Sequence, residues 1–151
     1  MAIAITLHLL GVIVWVGGMF FAHMILRVAV NRSLEPQQRL PLMQRVFDGF
    51  FSWVWLSVIL ILASGYWMLF SVYTGQVSLW LAFMTFAGTL MAAIFVFIFA
   101  FPYQQLSRAL KIHDMPKAVA AVTLIRQLVL ANLILGLLIT LVTLFGKYGQ
   151  L

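Results

Sequence analysis

The stretch Leu7–Arg27, LHLLGVIVWVGGMFFAHMILR, decides the fold. It carries no formal charge before Arg27. About 20 apolar residues in a helix are enough to cross the ~30 Å hydrocarbon core of a bilayer. Yet the stretch holds two of the chain's three histidines, His8 and His23, with Trp15 and the Gly17–Gly18 pair between them. Imidazole in hydrocarbon is costly and is kept where it has a partner or a task. The rest of the sequence has to explain both the apolar run and the two rings within it.

The first explanation is the solvent. Of 151 residues, 65% are hydrophobic and 8% charged, with a mean hydropathy of +1.13. Soluble domains carry about 25% charged residues. A chain of this size cannot enclose so much apolar surface, so its surroundings are lipid. Hydropathy predicts spans at about 3–27, 50–73, 78–101 and 118–146, joined by the polar connection VNRSLEPQQRLPLMQRVFDG, the uncharged turn YTGQVS and the basic QQLSRALKIHDMPK. Short connections make neighbouring helices antiparallel. The expected fold is an all-α integral membrane four-helix up-down bundle, with residues 1–151 forming one domain. The first segment lacks a basic leader and a small-residue cleavage site, and is expected to stay as a span.

The net charge of +6 would point to nucleic acid in a soluble chain. Here the basic residues mark topology, and no nucleic-acid partner is expected. Arg27, Arg32, Arg39 and Arg45 lie in or beside the first connection, and Arg108, Lys111 and Lys117 in the third. Basic residues gather on cytoplasmic loops. Both termini are therefore expected on the outer side of the membrane. Residues 31–48 are expected to form a cytoplasmic interfacial segment, apolar side chains dipping into lipid while arginines meet headgroups. Pro102 is expected to end or kink the third span.

Several chemistries are excluded. The chain has no cysteine, hence no disulfide or thiolate site. Its three acids, Glu35, Asp48 and Asp114, lie outside the apolar cores, so no paired-carboxylate mechanism operates within the membrane. No phosphate loop, nucleophile elbow or zinc-protease helix occurs, and no catalytic residue is expected.

At about 100° and 1.5 Å per residue, His8, Gly11, Trp15, Gly18, Met19, Ala22 and His23 share one face. Small residues mark close helix packing in membranes, so both imidazoles are expected to face the bundle interior. Fifteen residues place them about 22 Å apart, too far to share one ion. Depth matching puts Met68, about 7 Å below the outer end of the second span, level with Met84 and His8. Imidazole and thioether donors suit Cu(I). Deeper lie Met19, Met91 and Asn132. A relay is expected from His8, Met68 and Met84 through Met19 and Met91 to His23. Arg126, about two turns inside the fourth span, either snorkels to headgroups or pairs with an anion near His23. Trp53, Trp55, Trp67 and Trp80 are expected at the membrane interfaces, and His113 in a solvated loop.

HLLGVIVWVGGMFF resembles the first helix of the CopD copper-resistance family, whose pattern H-L-x-G-x-x-x-W-x-G-G is met by His8, Gly11, Trp15, Gly17 and Gly18. IRQLVLANLILGLLITLV, with Arg126, Asn132 and Gly136, is similar to that family's last helix, and RVFDGFFSWVWLSVILILASG to its second. The resemblance implies a compact inner-membrane copper-handling protein. Its partners would be the lipid bilayer, the copper ion, and a homodimer mate or a periplasmic copper-binding protein. The first helix also resembles the HemJ-type protoporphyrinogen oxidases through H-x6-W-x2-G, met by His8, Trp15 and Gly18, which implies haem b on His8. In that alternative the protein is an oxidoreductase, Met68, Met84 or a second subunit's His8 lies opposite, and Trp15 and the glycines form a slot for the ring. Here His23 precedes Arg27, whereas the HemJ pattern has arginine before a later histidine.

Overall fold

A computed structural model describes residues 1–73 and 78–148. The chain is all-α. Helix α1 (Ala2–Phe20) runs through a six-residue π-helical turn, Phe21–Leu26, into α2 (Arg27–Ser33). Helix α3 (Pro36–Ser71) is followed by α4 (Leu79–Ala100), α5 (Pro102–Lys111) and α6 (Met115–Tyr148). Four continuous helical stretches, Ala2–Ser33, Gln37–Ser71, Leu79–Lys111 and Met115–Gly146, are long and apolar enough to cross a membrane. The surface is apolar as well: Ile3, Phe70, Leu79, Phe86 and Phe145 are each at least 70% exposed. Water would be a poor solvent for that exterior. This is a multi-pass membrane protein.

The helices outrun the spans that hydropathy marks. Within the connection 31–48, α2 ends at Ser33 and α3 begins at Pro36. Residues 36–49 are thus the first turns of one 36-residue helix, α3, about 54 Å long against a ~30 Å hydrocarbon core. One of its two prolines suits this, and the other is tolerated. Pro36 occupies the helix start, where an N–H has no intrahelical partner, and Pro41 follows inside the helix. Pro102 kinks the third stretch as expected, with Phe101 distorted to φ −114° and ψ −79° between α4 and α5.

The α5–α6 corner is a Schellman turn. The N–H of His113 donates to Leu110 O and that of Asp114 to Ala109 O. His113 takes the left-handed φ of 57° that such a turn requires. Asp114 then caps α6, accepting from the Lys117 N–H at 3.2 Å and pairing with Lys117 Nζ at 2.8 Å. That ammonium holds the Asp114 carboxyl below its usual range.

Helix α1 packs mainly on α3, and α4 on α6. Aromatic edges fill the centre: Phe95 meets Trp15, Phe51 and Trp55 edge-on at 6.3, 5.6 and 5.1 Å. Trp55 therefore serves the core, whereas Trp53 and Trp67 remain on the outside. The two tryptophans differ by about 200° of rotation in a helix, so when Trp55 faces the core Trp53 faces outward.

Candidate functional site

His8 is half-buried and turned toward α3. Its ring lies over Gly65, where a Cβ would stand 3.2 Å from Cε1. The Nδ1 atom is 3.1 Å from Ile61 O and 3.1 Å from Ser64 Oγ. The Ser64 hydroxyl also reaches the Leu60 and Ile61 carbonyls of its own helix. A carbonyl can only accept, so the bond to Ile61 O calls for the proton on Nδ1. In the neutral ring this leaves the lone pair on Nε2. Metal-binding histidines are commonly oriented by such a bond from the opposite nitrogen.

That ring forms part of the wall of a cavity of about 280 Å³ between α1, α3, α4 and α6. Trp15, Met84, Met91 and Thr143 share the wall. Three glycines open the space. Gly65 admits the imidazole. Gly136 brings α6 close to Val16 and Met91, and Gly88 has nothing within 4 Å of the place a Cβ would take. Most hydroxyls here are committed: Thr85 donates to Leu81 O, Thr89 to Thr85 O, and the Tyr66 hydroxyl meets Thr89 Oγ1 at 2.8 Å. Thr143 Oγ1 is different, being buried without a hydrogen-bond partner. One wall thus offers an imidazole lone pair, two thioether side chains and an unsatisfied hydroxyl. No formally charged side chain lines it.

The other sequence candidates are distributed differently. Met68 is half-buried and not on this wall. Met19 is 2% exposed and packed into the core. Asn132, 1% exposed, donates through Nδ2 to Met91 O at 3.1 Å, while its Oδ1 has no partner. His23 and Arg126 line a second cavity at the basic end. The structure brings together His8, Trp15, Met84 and Met91, and separates them from His23 by the packed level of Met19 and Asn132.

Sequence reasoning missed Ser64 as the partner of His8 and Gly65 and Gly88 as the makers of space. The Ser57–Ser64–Ser71 spacing was a visible signal. Ser57 uses its hydroxyl within its own helix, on Trp53 O, and Ser64 alone also meets the ring. Gly11 and Gly18, by contrast, serve helix packing. A Cβ on Gly11 would stand 2.8 Å from Ile61 Cγ1, and one on Gly18 would run into the Phe50 ring. Among the described residues, no three His, Cys, Asp or Glu side chains converge on a metal position. No family model, curated protein or solved structure matches the chain.

Proposed function

We propose that the chain is a copper-handling protein of the bacterial inner membrane, with both termini outside. In this reading it takes Cu(I) at His8 and passes it toward the cytoplasm. The observation that supports the reading is the anchoring of the His8 ring through Nδ1 to Ile61 O, a bond that only the Nδ1–H tautomer can make and that leaves the Nε2 lone pair free for a metal. Met84 and Met91 on the same wall supply soft donors. Neutral ligands suit a monovalent cation in a low-dielectric site, where a carboxylate would itself be costly to bury. The resemblance of the first helix to CopD proteins supports the same ion. Onward movement to His23 would require α1 to shift from its neighbours at Met19.

Haem b fits these residues less well. Gly11 and Gly18 meet Ile61 and Phe50 and leave no slot for a ring. The cavity wall holds no cationic side chain to receive propionates. Only one histidine lies at this level of the bundle.

Metal analysis and an absorption spectrum of the protein purified from membrane test the reading. Stoichiometric Cu(I) uptake is expected, lost in His8→Ala and in Met84→Ala/Met91→Ala, and retained in Met68→Ala. A Soret band that disappears in His8→Ala would overturn copper in favour of haem.

A further inference from the structure

The basic end holds a second cavity, of about 260 Å³, bounded by the π-helical turn, α2, α3 and α6. Its polar wall is His23, Arg27, Asn31, Arg39 and Arg126. No acid lines it; Glu35, Asp48 and Asp114 all lie elsewhere. The ion pair found among the described residues, Lys117–Asp114, is outside it too. Three guanidinium groups therefore converge without a carboxylate. Arg39 is partly engaged, donating to Leu34 O and Asn31 O at 2.9 Å each, which ties down the bend between α2 and α3. Arg126 is not so engaged: its Nε is buried with no hydrogen-bond partner. An orphaned guanidinium donor in a low-dielectric setting is costly, and its neighbour Arg27 adds like-charge repulsion.

The remainder of the wall is apolar, with Val30, Met43, Phe47 and Ile125 along it. A ligand suited to both halves carries an anionic head and a hydrocarbon body. Planar guanidinium forks match phosphate oxygens in paired hydrogen bonds, and basic pockets between membrane helices receive acidic headgroups. The π-helical turn carrying His23 adds a local sign, since such irregularities concentrate at functional sites.

We propose that this cavity binds the phosphate of an anionic phospholipid, held by Arg27 and Arg126 beside His23, with acyl chain against Val30 and Phe47. The site is independent of the His8 cavity, so copper binding can fail without touching it.

The test is native mass spectrometry of the full chain in micelles containing equal phosphatidylglycerol and phosphatidylcholine. Wild type is expected to retain phosphatidylglycerol preferentially, with the preference falling about fivefold for each arginine neutralised in Arg27→Gln and Arg126→Gln. Arg45→Gln and Arg108→Gln, outside the cavity, are expected to leave it unchanged. If Arg126→Gln does not fold, Arg27→Gln alone still carries the expected loss. Equal retention of both lipids by wild type, an unchanged preference in Arg27→Gln, or displacement of the lipid by millimolar inorganic phosphate would each overturn the proposal. The last of these would make the site one for a free anion.

Discussion

His8 shows how a side chain that would be a liability in lipid is given defined hydrogen-bond partners inside the bundle. Two groups on α3 meet Nδ1, and one of them, the Ile61 carbonyl, can only accept and so calls for the proton on that nitrogen. Ser64→Ala removes one of those groups and leaves Ile61 O in place. Cu(I) affinity is expected to fall about tenfold, the lower end of the usual loss when an orienting partner is removed, as a competition titration with a Cu(I) chelator would read. Thermal stability is expected to change by no more than about 1 kcal/mol, the scale of interhelical hydrogen bonds in membranes. Equal affinity in the variant would mean that Ser64 does not orient the ring. The inward direction of His8 was legible from the small residues on its face. Its partner was not, because Ile61 and Ser64 lie 53 and 56 residues away and the vertical register of two helices is a tertiary property.

At the scale of the helix, the glycines of the first span have unequal roles that their shared motif conceals. Gly11 faces Ile61 Cγ1 and the Ser57 carbonyl, where a Cβ would stand at 2.8 and 3.1 Å, and the carbonyl belongs to a helix backbone that cannot easily yield. Gly17 has nothing within 4 Å. Gly11→Ala is expected to destabilise the bundle by about 1–3 kcal/mol through overpacking. Gly17→Ala is expected to be neutral or to stabilise by up to about 1 kcal/mol through helix propensity. Unfolding in mixed detergent micelles compares the two, and equal effects would contradict the packing assigned to α1 and α3. The α5–α6 corner gives an opposite case, a residue in a place suited to glycine. His113 holds φ at 57°, so His113→Gly is expected to gain about 0.5–1 kcal/mol, the relief of left-handed strain less the entropy of a freer unfolded chain. A loss of stability in the same assay would show that the imidazole makes contacts outweighing the strain. Helix existence was legible from hydropathy, and Pro102 marked its own kink. The early start of α3 was not, because hydropathy registers where a helix meets lipid and is blind to polar turns that continue it beyond the membrane.

Across the whole molecule, the two histidines that share one apolar stretch belong to two cavities of different chemistry, an uncharged one near the termini and a cationic one at the basic end. The packed level of Met19 and Asn132 lies between them. Gly88→Leu tests whether the first cavity is the seat of binding, since Gly88 lines it and a Cβ there meets nothing within 4 Å. Copper uptake is expected to be abolished with stability unchanged or raised, and undiminished uptake would place the ligand elsewhere. The proposed orientation can be tested on the same chain, because it contains no cysteine and each introduced thiol is a unique label. Four crossings put Ala2 and Ser78 at one end of the bundle and Glu35 and His113 at the other, all exposed. In the proposed orientation the end rich in arginine and lysine faces the cytoplasm. In intact spheroplasts, a membrane-impermeant maleimide is expected to label Ala2→Cys and Ser78→Cys at once, and Glu35→Cys and His113→Cys only after permeabilisation. The reverse pattern would invert the bundle. His8 would then open toward the cytoplasm, and the inward transfer proposed for Cu(I) would have to run outward.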